Sequence, residues 1–229
     1  MAAPTFTINP EALFYGFCRG TALGISSLVA SVSVLHRERT ALEGGWLLAP
    51  NHISHFDPVL IAMKTRRRVD WMAMSELFTP RPVAAFLRAG GAFPTDRSRI
   101  DRHAVREALR RLRAGRVVGI FPEGGIRTGA ESVLAGAPLR PGATMLARLA
   151  DVPVIPCVIV GCETLYQPRR WLPFRRNRIG IAFGEPLRVA PHLPPRAAAE
   201  GLDRALREAY LALDAELRNL SLHPAEPDA

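Results

Sequence analysis

Lysine is almost missing from this chain: Lys64 is the only one, so arginine supplies nearly all of the 30 basic residues. Cysteine is scarce as well. Cys18, Cys157 and Cys162 are an odd set with no CxxC pair, which argues against a disulfide scaffold or a cysteine-rich zinc module and fits a reducing compartment. There is no HExxH metal motif and no GxSxG elbow. Long apolar runs are also lacking. The uncharged stretch from Gly20 to Leu35 is interrupted by one threonine and four serines. As a helix it rises about 24 Å, short of the roughly 30 Å hydrocarbon core of a bilayer. Residues 1–12 have no basic start and no small-residue cleavage site follows, so the N-terminus does not read as a signal peptide.

What is present suits one folded domain. The 229 residues are 48% hydrophobic and 22% charged, with 20 prolines and 18 glycines, which excludes a disordered chain, a collagen-like repeat and a coiled coil. The net charge of +9 points to an anionic partner: nucleic acid, an anionic membrane surface or a phosphorylated substrate.

Residues 10–36 read as a helix, broken near Gly20 or Gly24, with Ile25, Leu28, Val29, Val32 and Leu35 on one side. Its apolar stripe either packs on the domain or lies in a membrane interface. Beyond Leu42, short apolar runs alternate with helical patterns. Strands are expected at Trp46–Ala49, Val69–Met74, Ala92–Phe93, Val117–Phe121, Val154–Val160 and Ile179–Phe183. Helices are expected at Asp101–Ala114, Gly142–Ala150 and Pro195–Asn219. The predicted class is α/β: a single domain with a central, mostly parallel or mixed sheet flanked by helices, preceded by a membrane-associating N-terminal helix. The expected divisions are 1–40 for that helical segment, 41–219 for the domain and 220–229 for a loose tail.

The chemistry-bearing segments follow strands, and in such a sheet strand ends open on one edge. The first is Asn51-His52-Ile53-Ser54-His55-Phe56-Asp57-Pro58. His52 can take a proton near neutral pH, and a carboxylate five residues on can turn back to the other ring nitrogen. That is the orienting half of a catalytic triad without a serine. Asp57 before Pro58 also reads as a helix N-cap, and the two roles are compatible because a carboxylate has several acceptor sites. A rival is a metal site on His52, His55 and Asp57. The segments Gly90–Arg97 and Phe121–Gly129 each set glycines and an arginine beside a strand, the chemistry of anion binding. Tyr166–Arg178 sets Trp171 and Phe174 among five arginines, which suits a lipid headgroup layer or nucleic acid.

In order along the chain, NHISHFD, GAFPTDR, FPEGGIR and VPVIP resemble the four blocks of the glycerophospholipid acyltransferases, most nearly the bacterial 1-acyl-sn-glycerol-3-phosphate type. The resemblance spans about Asn51 to Pro156. It implies that His52 is the base that deprotonates a glycerol hydroxyl and that Asp57 orients it. It also implies substrate contacts from Gly91, Asp96, Arg97, Glu123, Gly124, Gly125 and Arg127, with Val154, Ile155 and Pro156 shaping an apolar wall. The implied donor is an acyl-CoA or acyl carrier protein thioester, with no metal and no cofactor. The implied partners are a lysophospholipid acceptor and an anionic membrane, with no nucleic acid, at the cytoplasmic side of the cell membrane as a peripheral or monotopic protein. The sequence departs from the family where Gly125 and Ile126 both separate Glu123-Gly124 from Arg127, one residue more than usual. That shift leaves open another lysolipid, such as a lyso-aminolipid, as acceptor.

Overall fold

The computed structural model of the chain describes residues 28–98, 101–167, 177–190 and 194–222, with isolated positions 16, 20, 24 and 169. Most of the expected N-terminal helix, and most of the Tyr166–Arg178 segment including Trp171 and Phe174, lie outside the described residues. Seven strands form one sheet: β1 (Ala30–Leu35), β2 (Trp46–Pro50), β3 (Val69–Met74), β4 (Phe93–Thr95), β5 (Val117–Gly119), β6 (Val154–Val160) and β7 (Asn177–Phe183). Their order across the sheet is β1-β7-β6-β2-β5-β3-β4. Every neighbouring pair is parallel except β6 with β7. The class is the α/β mixed sheet that strand and helix alternation predicts.

The helices are α1 (Asp57–Lys64), α2 (Arg81–Ala89), α3 (Arg102–Arg113), α4 (Gly142–Ala150) and α5 (Pro195–Leu222), the last running past the expected end at Asn219. They cover both faces. Trp46 and Leu48 of β2 join Ile155, Cys157 and Ile159 of β6 under α1, whose Leu60, Ile61 and Met63 close that side. Leu47 and Ala49 face the other way, against Leu112 of α3, Leu146 of α4 and Leu206 and Tyr210 of α5. Successive residues of a strand point to opposite faces, so a strand covered on both sides must be apolar throughout. All five residues of β2 are buried. Pro50 is tolerated as its last residue. Asn51 N donates toward β6, so the N–H that Pro50 lacks would face the β5 side, where pairing ends at Leu48 with Gly119.

The sequence reading is corrected at 30–36. Positions 28 and 29 are helical, but Ala30–Leu35 is a strand, in parallel register with β7 from Ala30–Asn177 to Leu35–Ala182. Ser31 and Ser33 are exposed while Val32 and Val34 pack on the core, a period of two that the helical stripe had concealed. Among the described residues no helix is long and apolar enough to cross a membrane.

The turn into β2 tests how tightly the layers are packed. A Cβ on Gly45 would fall 2.0 Å from the Leu112 carbonyl oxygen, and a helical backbone cannot step aside as a side chain can. Gly45→Ala is expected to destabilise the fold by about 1–3 kcal/mol, read as a lower urea midpoint with an unchanged slope.

Candidate active site

Parallel strands β2, β3, β4, β5 and β6 all end at one edge of the sheet, and the loops after β2, β4 and β5 meet there. Leaving β2, Asn51 is fully buried and continues the ladder with its side chain. Its Nδ2 donates to the Ile159 carbonyl at 3.0 Å, and its Oδ1 accepts from Ile159 N at 2.7 Å. The amide thus takes the place of one more residue of β2 and fixes where His52 begins.

His52 is held on every side. Its backbone N–H donates to Glu123 Oε2 at 2.6 Å, and its carbonyl accepts from Arg127 N at 2.8 Å. The ring stacks on Phe121 at 3.9 Å between centroids, and Phe121 stacks on Trp71 at 5.0 Å. Nδ1 lies 2.8 Å from Asp57 Oδ2. The same oxygen accepts from Ile53 N at 2.7 Å and Ser54 N at 2.8 Å. Two backbone N–H groups already donate to that oxygen, so it serves as an acceptor and the ring meets it with Nδ1 as donor. Asp57 is fully buried while the His52 side chain is 14% exposed and lines a cavity of about 740 Å³. Chemically, such a pair can act as a base and the carboxylate that orients it.

Asp57 is therefore not the helix cap that Asp-Pro suggests. It is the first residue of α1 itself, and its carboxylate points back along the loop instead of forward to the helix N–H groups. Nor do His52, His55 and Asp57 converge. The His55 ring and backbone N–H both bond the Tyr166 hydroxyl, and among the described residues no three His, Cys, Asp or Glu side chains are placed to share a metal. The buried Cys162 thiol lies beside Asp57. Burial first, then that carboxylate, push its pKa up, so it stays a thiol and not a nucleophile.

The remaining expected residues divide in two. Gly124, Gly125, Asp96 and Arg97 line the cavity, with the Arg97 guanidinium donating to the Gly124 carbonyl at 2.8 Å. The others stand off it. Glu123 is buried, with Oε2 on His52 N and Oε1 accepting from Val133 N and the Ser132 hydroxyl; it braces the His52 backbone and does not line the cavity. Burial raises the Glu123 pKa, partly offset by those hydrogen bonds. Arg127 gives its backbone to His52, but its guanidinium pairs with Glu131 at 3.1 Å; the extra residue before it leaves Ile126 lining the cavity instead. Gly91 has a positive φ and sits where a Cβ would fall 2.5 Å from the Asp70 carboxylate, so it serves packing. Val154, Ile155 and Pro156 begin β6 in register with Leu47, Leu48 and Ala49, and are buried in the sheet without lining the cavity. The backbone N–H groups of Gly91 and Gly124, natural guesses for stabilising an oxyanion, already donate to Arg88 and Phe121 carbonyls.

Sequence reasoning missed the Trp71–Phe121–His52 stack, because stacking partners on β3 and after β5 share no local pattern. It also missed Arg140, which lines the cavity just before α4. A cation preceding Pro-Gly at a helix start was its one local signal.

Asn51→Ala strips both partners from Ile159. We expect a loss of about 2–4 kcal/mol in urea unfolding, and weaker activity in the residual folded protein because His52 is the next residue.

The chain has relatives among known proteins. A 1-acyl-sn-glycerol-3-phosphate acyltransferase of Bacillus subtilis (strain 168) is 27% identical over 209 residues, covering 90% of this chain and all of the relative. One of Streptococcus pneumoniae (strain ATCC BAA-255 / R6) is 27% identical over 188 residues, covering 80% of this chain and 66% of its own length. The crystal structure of PlsC, the 1-acyl-sn-glycerophosphate (LPA) acyltransferase of Thermotoga maritima, shares the fold at a TM-score of 0.63 and 19% identity, covering 96% of this chain and 86% of that one. The Acyltransferase family model matches residues 31–160, more than half the chain and all of the His52–Asp57 loop, so the chain belongs to the acyltransferase family.

Proposed function

We propose that this enzyme transfers a fatty acyl group from an acyl-CoA or acyl carrier protein thioester to the free hydroxyl of 1-acyl-sn-glycerol 3-phosphate. The observation that carries the proposal is the contact between His52 Nδ1 and Asp57 Oδ2 on a ring that borders the cavity. His52 Nε2 takes the proton of the acceptor hydroxyl as its oxygen attacks the thioester carbonyl. The tetrahedral oxyanion collapses, the carbon–sulfur bond breaks, and the imidazolium returns its proton to the departing thiolate. Asp57 stabilises the imidazolium in between, and no acyl-enzyme is formed. The names of the relatives support the acceptor.

The cavity supports an amphiphilic substrate. It is walled mainly by apolar side chains, and Val59, Leu77 and Phe86 at its border are 49%, 41% and 53% exposed. Exposed apolar side chains at that border suit acyl chains arriving from a bilayer. We place the enzyme on the cytoplasmic side of the membrane, held peripherally with help from its arginines. The buried free thiols of Cys157 and Cys162 accord with a reducing compartment.

Positioned base catalysis contributes roughly 10²–10⁴-fold. His52→Ala is expected to lower kcat by that factor with 1-acylglycerol 3-phosphate and acyl-CoA, with the melting temperature little changed. Near wild-type turnover in that variant would contradict the proposal.

A further inference from the structure

Two guanidinium groups meet the cavity at Gly124. Arg97 reaches it from the loop after β4 and donates to the Gly124 carbonyl at 2.8 Å and to Met74 Sδ at 3.2 Å. Arg140 reaches it from the other side. Its backbone N–H donates to the Pro122 carbonyl at 2.8 Å, and its side chain runs across Gly124 so closely that a Cβ there would lie 2.3 Å from Nε. Gly124 has φ +69°, so the turn admits only glycine on both counts. The Arg140 guanidinium has no carboxylate partner among the described residues. Arg127, the other arginine expected here, is occupied by Glu131. Two carboxylates also border the cavity, but Asp101 accepts from Asp96 N, His103 N and Ala104 N, and Asp96 from the Ser98 N–H and hydroxyl.

We propose that Arg140 forms, with Arg97, the clamp that holds the phosphate of the acceptor, taking the place of the displaced Arg127. The proposal rests on the function inferred above. In 1-acylglycerol 3-phosphate the attacking hydroxyl and the phosphate sit on neighbouring carbons, so the phosphate anchor must be fixed relative to the base. Arg140 meets that condition. It is pinned to Pro122, and the next residue, Glu123, is pinned to the His52 backbone. Arginine also matches phosphate through a planar fork of parallel N–H donors, which an ammonium lacks.

The test is steady-state kinetics on the full chain in mixed micelles, with acyl-CoA as donor. Arg140→Gln is expected to raise the KM for 1-acylglycerol 3-phosphate about tenfold or more, with kcat within about threefold and the KM for acyl-CoA unchanged. Arg140→Lys recovers part of the loss. Monoacylglycerol, which has no phosphate, is used equally by wild type and Arg140→Gln. An unchanged acceptor KM, a rise confined to acyl-CoA, or a larger rise in Arg127→Gln than in Arg140→Gln overturns the clamp. Tryptophan fluorescence on titration with 1-acylglycerol 3-phosphate, without donor, reads the same contact independently of turnover. Binding lost in Arg140→Gln alongside an inactive wild type would support the clamp and refute the proposed reaction. Equal binding by wild type and variant would refute the clamp while leaving the reaction standing.

Discussion

One carboxylate oxygen carries the organisation of the site. Asp57 Oδ2 takes the His52 ring proton and the Ile53 and Ser54 backbone N–H groups together, so the loop after β2 is wound around a buried negative charge. Burying a carboxylate is costly unless donors reach it, and here the donors converge on Oδ2 from the backbone of the loop and the His52 ring. Folding the loop and orienting the His52 ring are therefore coupled. A conformation that released the ring would also strip the charge of its donors.

The rest of the site maintains that arrangement from outside. Asn51 extends β2 by a side chain and sets the register at which the loop departs. Glu123 and Arg127 hold the two ends of the His52 peptide, one by a carboxylate and one by a backbone N–H. Phe121 and Trp71 fix the plane of the ring. Glu123 is raised in pKa by its burial, yet it accepts three hydrogen bonds that favour the ionised form. A turn that also bears cavity-lining glycines is thereby locked to the base.

Much of this was legible in the sequence, and what was not has physical reasons. The apolar run that became β6 was found to the residue because a strand buried on both faces is a continuous apolar run between breakers. β1 was misread because Ala30–Leu35 is an edge strand with small alternating residues, and the alternation merged into the stripe before it. The contact between His52 and Asp57 was legible because their spacing is local. Glu123 and Arg127 were expected to meet substrate, and their side chains instead meet the His52 backbone, Ser132 and Val133 in the one case and Glu131 in the other. Which way a side chain turns depends on Ser132, Val133 and Glu131, and no motif records those neighbours. Val154, Ile155 and Pro156 were placed near substrate by resemblance, yet they are buried in the sheet without lining the cavity.

The central claim is that Asp57 leaves Nε2 of His52 as the basic nitrogen. Nitrogen-15 NMR of protein labelled at histidine, with His52→Ala to assign the signal, reads this directly. The account predicts that neutral His52 is protonated at Nδ1, and that Asp57→Asn abolishes this preference. A neutral ring protonated at Nε2, or a tautomer indifferent to Asp57→Asn, would contradict it.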